Sequence, residues 1–208
     1  MAKRALLILG SSDLEKDRIL EYLDQDTIII GVDSGCDLLY EYSIKPDYII
    51  GDFDSIDSKV LEYYQKLKID IKILNKDKNL TDGEAAVLLA KELGCDEIYL
   101  GSTLKSEETD QLIGNMLLLT KYVGLLLFNN KEIISLLDKG SCKLTKGDGE
   151  VFSIIPLEEC WLMISGSAYD GEFQVSLGDT KTMRNQIVAE NVLINLKEGR
   201  FIIIQRKE

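Results

Sequence analysis

The chain has 208 residues, 45% hydrophobic and 29% charged, a net charge of −12 and no histidine. Those totals describe a globular chain long enough for one large domain or two small ones, and they argue against nucleic acid or an anionic membrane as partner, since both require a basic face. The missing histidine removes Ser-His and Cys-His nucleophiles and His-ligated metals. Acid–base work is left to Asp, Glu, Lys or Tyr, and metal binding to oxygen ligands.

In chain order, the opening "MAKRALLILGSSDLEKD" reads as a first strand, ALLILG, rather than a signal peptide, because acids follow at once. With no apolar run near the roughly 18 residues of a membrane span, the expected location is cytoplasmic. "SSDLEKDRILEYLD" places Leu14, Ile19, Leu20 and Leu23 at helical spacing, and Ser12 with Glu15 fits a capping box. TIIIGVD (27–33) is a strand, CDLLYEYS a short helix, YIIGDFD a strand, SKVLEYYQKLK a helix and DIKIL (70–74) a strand. TDGEAAVLLAKELG is a helix stopped by Gly94, DEIYLG a strand, TDQLIGNMLLLTKY a helix and GLLLFN (124–129) a sixth strand. This alternation predicts an α/β domain over 1–129, with a mainly parallel sheet covered on both faces. From residue 130 the runs EIISLL, EVFSIIP, WLMIS, EFQVSL, NVLINL and RFIIIQ are short and bounded by turn residues. They predict an all-β, sandwich-like domain over 130–208. Cys36, Cys95, Cys142 and Cys160 form no Cys-x-x-Cys clamp and read as buried thiols.

Ligands of an open parallel sheet bind beyond the carboxyl ends of its strands. Asp33 follows one strand end there, and Asp52 and Asp54 follow another, in "PDYIIGDFDSI". Asp82 and Asp110 open the next two helices. Five carboxylates at one edge repel unless cations neutralise them, and Mg²⁺ bridging carboxylates to phosphates does so. Each acid also has a structural alternative. Thr81-Asp82-Gly83-Glu84 fits a helix capping box, Thr109-Asp110 a helix start, Asp33 a turn and Asp47 a turn after Pro46. Neither a Gly-x-Gly-x-x-Gly turn after the first strand nor a Gly-x-x-x-x-Gly-Lys-Ser/Thr loop is present. "GSS" (10–12) is open as a phosphate cradle or an ordinary turn. In the second half, Trp161, Tyr169 and Phe173 are stacking candidates or core aromatics, and Asn185 and Gln186 offer directional hydrogen bonds.

"GVDSGCDLLYEYSIKPDYIIGDFDSI" followed by "DKNLTDGEAAVLLA" resembles the thiamine pyrophosphokinase family, whose blocks are Asp-Gly-Gly-Ala, Pro-Asp-x-x-x-Gly-Asp-x-Asp-Ser and a helix-opening Thr-Asp. The match at Gly51–Ser55 is the most specific piece. The resemblance implies Mg²⁺-dependent transfer of pyrophosphate from ATP to the hydroxyl of thiamine, by a homodimer with ATP on the α/β domain and thiamine near the dimer interface. It implies catalytic roles for Asp54, Asp82 and Asp110, metal binding by Asp52, Asp54 and Asp82, and substrate contacts from Asp33, Asp52, Thr81, Asn115 and Asn185. Several positions depart from the family pattern. "LKSEETDQ" stands in place of Gly-Gly-Arg-x-Asp-His, so Gln111 replaces His and Glu107 and Glu108 replace a cationic stretch. Asn79 replaces an Asp, Ser34-Gly35-Cys36 replaces Gly-Gly-Ala, and Arg184-Asn185-Gln186 replaces Ser-Asn-Glu; Lys78 and Lys105 are candidate substitutes for the missing Arg. Two rival readings stay open: a nucleotide- or thiamine-binding homologue with little turnover, and a pyrophosphokinase acting on another small alcohol.

Overall fold

The computed structural model describes residues 3–10, 13–74, 80–102 and 109–207. The chain divides into two compact units, residues 1–130 and 131–208.

The first unit holds strands β1 (Arg4–Ile8), β2 (Ile28–Val32), β3 (Tyr48–Gly51), β4 (Asp70–Ile73), β5 (Glu97–Gly101) and β6 (Leu125–Phe128). Between them lie helices α1 (Lys16–Leu20), α2 (Gly35–Glu41), α3 (Ser58–Lys66), α4 (Asp82–Glu92) and α5 (Thr109–Lys121). All six strands pair in parallel, in the order β6-β5-β1-β2-β3-β4. Central β1 is buried on both faces from Ala5 to Ile8, which is why its sequence is a continuous apolar run. Edge strand β4 instead alternates polar and apolar residues, and its Ile73 is exposed.

Leu6, Ile8, Leu14, Ile19, Leu39 and Phe128 form one core cluster, and Cys36, Ile49, Val60, Tyr64 and Ile69 another. Each fully buried Leu or Ile contributes about 1.5–3 kcal/mol. The helical spacing predicted across residues 11–24 is realised only over Lys16–Leu20. Beyond it, Asp24 and Thr27 close a turn in which the Asp24 main-chain N–H donates to Thr27 Oγ1 at 3.1 Å, and Leu20 is left exposed. Helix α4 ends as its sequence predicts, with Gly94 at φ +79° and the Cys95 N–H reaching back to Ala90 O at 3.0 Å.

The second unit is antiparallel. One set of strands runs in the order β12 (Asn185–Gln186), β9 (Val151–Pro156), β14 (Phe201–Arg206), β7 (Glu132–Leu137). A second sheet has the order β11 (Gly171–Val175), β10 (Cys160–Ser165), β13 (Asn191–Glu198), β8 (Gly140–Thr145). Phe152, Ile154, Phe201 and Ile203 from the first set pack with Leu162, Ile164, Val192 and Ile194 from the second in one core. Strands β8 and β12 are absent from the sequence prediction. In β8 only Leu144 is buried, so backbone pairing to β13 carries the strand rather than an apolar pattern. Among the described residues no helix is long and apolar enough to cross a membrane.

Candidate active site

The strand order reverses at β1, with β2, β3 and β4 on one side and β5 and β6 on the other. A crevice beyond the strand ends is expected at such a point. A cleft of about 430 Å³ lies there, walled by Leu9 and Gly10 after β1, Asp33 and Ser34 after β2, Asp54 and Ser55 after β3, Thr81–Gly83 at the start of α4, Ser102 after β5, and Asp110–Leu112, Gly114 and Asn115 of α5. Four of the five predicted acids, Asp33, Asp54, Asp82 and Asp110, therefore share one cleft, together with Thr81 and Asn115.

Local geometry explains how "GDFDS" places its acids. Strand β3 ends at Gly51, and the Asp33 N–H donates to Ile50 O at 3.1 Å. Asp33 Oδ1 accepts from the Phe53 N–H at 3.2 Å. Its carboxylate lies over Gly51 so closely that a β-carbon at residue 51 would stand 1.8 Å from Asp33 Oδ1. Asp33 itself has φ +46° and Phe53 φ +61°, the latter costly for a bulky side chain. Phe53 packs against the Cys36–Tyr64 core, so the chain turns sharply around an anchored ring. Asp52 Oδ1 accepts from the Asp54 N–H at 3.1 Å, tightening that turn. Asp54 reaches the cleft and Asp52 does not line it. Asp47, beside Pro46, binds the edge of β2: its Oδ2 accepts from Ile29 N–H at 2.9 Å.

On the opposite wall, Thr81 caps α4 by accepting the Glu84 N–H at 3.1 Å. The capping box expected from the sequence is not reciprocal, because the Glu84 carboxylate accepts from Lys121 Nζ at 2.5 Å and Tyr122 Oη at 2.8 Å. Those bonds, Lys121 first, hold the Glu84 carboxyl below its ordinary range and tie the start of α4 to the end of α5. Gly83 permits the close approach: a β-carbon there would lie 3.1 Å from Asn115 Oδ1 and 3.2 Å from Leu9. Asn115 and Ser102 are both buried at the cleft, while Asp54 and Asp110 are exposed.

None of the described residues lining the cleft is Lys or Arg. Among the described residues no three His, Cys, Asp or Glu side chains converge to cage a metal. This donor set fits Mg²⁺, which is held through one or two carboxylates, retains waters and takes substrate phosphates as further ligands. The candidates Ser11, Ser12, Lys78, Asn79, Lys105, Glu107 and Glu108 lie outside the described residues.

A model of the thiamin pyrophosphokinase catalytic domain matches residues 19–135, more than half of the chain. The chain belongs to the thiamin pyrophosphokinase family. The thiamine pyrophosphokinase of Bacillus subtilis (strain 168) is 27% identical over an alignment of 192 residues that covers 88% of this chain and 89% of that one. A crystal structure of the thiamine pyrophosphokinase from Bacillus subtilis matches at a TM-score of 0.87 and 26% identity, over 99% of this chain and 100% of that chain. The thiamin pyrophosphokinase of Geobacillus thermodenitrificans shares the fold, with a TM-score of 0.81 at 22% identity over 98% of each chain.

Asn185, the position matched to the family's C-terminal motif, makes four hydrogen bonds. It belongs to the second unit and is buried. Its Nδ2 donates to Ser167 Oγ at 3.0 Å and Tyr169 O at 3.2 Å, and its Oδ1 accepts from Tyr169 N–H at 3.2 Å and Gln186 N–H at 2.9 Å. Every amide valence is thus used to pin the 166–170 turn. Asp170 braces the same turn, accepting from Gly166 N–H at 3.0 Å and Ser167 N–H at 2.7 Å, and these bonds pull its carboxyl below the ordinary range. Of the stacking candidates, Phe173 packs on the core, Trp161 lies under Lys197 with Nζ 4.2 Å from the ring centroid, and Tyr169 is exposed. Sequence reasoning missed Ser34, Ser55 and Ser102 as cleft residues. The available signal was position, since each follows within a few residues of a strand's carboxyl end.

Proposed function

We propose that the chain transfers a pyrophosphoryl group from ATP to the hydroxyl of thiamine, giving thiamine diphosphate and AMP. The observation that carries this reading is the convergence of Asp33, Asp54, Asp82 and Asp110 on one cleft in a chain of this family. A polyphosphate entering so acidic a cleft needs its charge and the carboxylates' charge balanced, which supports a divalent cation as cofactor. Asp54 and Asp82 would hold Mg²⁺, and Asp52 contributes by ordering the Asp54 turn. When bound, Mg²⁺ supplies electrostatic stabilisation of charge building on the transferred phosphoryl oxygens.

The chain's own groups account for the remaining tasks. The thiamine hydroxyl oxygen bonds to the β-phosphorus as the bond from that phosphorus to the AMP oxygen breaks, and the hydroxyl proton passes to the cleft carboxylate left outside the metal site, Asp110. The buried Asn115 amide and the N-terminus of α4 offer donors to phosphate oxygens. Thr81 and Asp33 hold the two walls in register through the α4 cap and the Phe53 turn. We further infer a homodimer, supported by the exposed Trp161, Met163 and Leu193 on the outer face of the β10–β13 sheet; sedimentation should find two copies per particle. A cytoplasmic location is supported by four free thiols, three buried and one half-buried.

In a purified assay the chain should release AMP in step with thiamine diphosphate, and Asp54→Asn should reduce that release by about 10²-fold or more. Near-normal turnover in that variant refutes the role of Asp54. The replacement of the family's Gly-Gly-Arg-x-Asp-His by "LKSEETDQ" favours one alternative, a binding homologue; ATP and thiamine binding without AMP would establish it.

A further inference from the structure

The loop that carries Asp54 is gripped at two points by a single short segment of the chain. At one end Asp33 Oδ1 accepts from the Phe53 N–H at 3.2 Å. At the other, both carboxylate oxygens of Asp37, in the first turn of α2, face the Asp57 N–H, at 3.1 and 3.3 Å. Asp57 is the N-cap of α3, its own carboxylate accepting from Lys59 N–H at 2.7 Å, so its main-chain N–H lies outside the helix and takes Asp37 as its partner. Asp54 and Ser55, the two cleft residues of this loop, lie between the grips.

The gripping segment is itself immobilised. Gly35 presses so closely on the end of β1 that a β-carbon there would stand 2.1 Å from Ile8 O. Cys36 N–H bonds to Asp33 O at 3.0 Å, and Tyr64 Oη of α3 donates to Cys36 O at 3.4 Å. At the far end of the loop Ile56 packs on the core, while Ser55, Asp57 and Ser58 are exposed. A half-buried carboxylate beside a second acid is an awkward choice for mere solubility, and here it performs one defined task, holding one N–H.

We propose that Asp37 is a positioning residue, which sets the place of Asp54 and Ser55 in the cleft by fixing the Asp57 N–H. This rests on the proposed role of Asp54, and it extends the site to a residue that does not line the cleft. What the role requires is an acceptor oxygen, not a negative charge. Asparagine should therefore serve and alanine should not.

The test compares Asp37→Ala, Asp37→Asn and Asp54→Asn in the full chain. Three readouts are followed: AMP release under saturating ATP and thiamine, calorimetric binding of Mg-ATP, and amide hydrogen exchange over residues 53–58. Asp37→Ala should lower kcat by about tenfold or more, because a displacement of about 1 Å in a reacting site is costly. It should also speed exchange over 53–58 while the melting transition stays cooperative. Asp37→Asn should restore both. Wild-type turnover in a folded Asp37→Ala, or an Asn variant as impaired as the Ala variant, overturns the proposal. Should the alanine chain not fold, Asp37→Asn decides: wild-type turnover and Mg-ATP binding support the acceptor role, and loss of both overturns it. If Asp54→Asn is itself fully active, the failure belongs to the reading of the site rather than to Asp37.

Discussion

Gly51 offers the sharpest test of how the acidic loop is built. Alanine there would place its β-carbon 1.8 Å from Asp33 Oδ1 and 2.5 Å from Asp33 Cγ, whereas real β-carbon contacts stay beyond 3.0 Å. The carboxylate must retreat by about 1.2 Å, the gap between 1.8 and 3.0 Å. That movement breaks the 3.2 Å bond to the Phe53 N–H and frees a residue held at φ +61°. Overpacking of this kind costs about 1–3 kcal/mol of stability. A displacement of about 1 Å at the reacting groups lowers turnover by about 10²-fold. Gly51→Ala should therefore remain folded, melt several degrees lower and release AMP about two orders of magnitude more slowly. The assay is AMP release at saturating substrates beside a thermal melt. Wild-type turnover in the folded variant would refute the claim that Asp33 holds the loop through the space over Gly51.

Two further outcomes follow from the hydrogen bonds. Because Lys121 and Tyr122 hold the Glu84 carboxyl below its ordinary value, its contribution to stability is complete above about pH 4.3, the unfolded value, and is lost as pH falls through the lowered folded value. Glu84→Gln should lower the melting temperature at pH 7, and the difference from wild type should close in acid; an equal difference at pH 7 and pH 3 refutes it. Asn185→Ala removes four hydrogen bonds from a buried turn and should cost about 2–4 kcal/mol in urea unfolding. Full stability with loss of thiamine binding would return Asn185 to a ligand role.

Much of the architecture was legible because its causes are local. Continuous apolar runs marked β1 and β2 as strands of a covered parallel sheet, and Gly94 marked the end of α4 because a residue free of β-carbon strain ends a helix cheaply. Strands β8 and β12 were not legible, since their stability lies in backbone pairing with partners far along the chain. The full length of α1 was over-read: helical spacing runs on to Leu23, but the helix stops at Leu20 and the Asp24–Thr27 turn follows.

The acids at the carboxyl ends of the strands were likewise visible in "VDSG", "GDFDS" and "LTDGE", because a parallel sheet delivers strand ends to one edge whatever the loops contain. Which acids act together was decided by the tertiary structure. Two residues apart in sequence, Asp52 and Asp54 part at Phe53, whose ring is drawn into the core, so that one carboxylate tightens a turn while the other faces the cleft. Asp37, separated from Asp57 by a whole strand, meets it because α2 and α3 pack together around Cys36 and Tyr64. Sequence determines what each side chain is able to do; packing, by fixing distances between residues remote along the chain, determines which of them do it together.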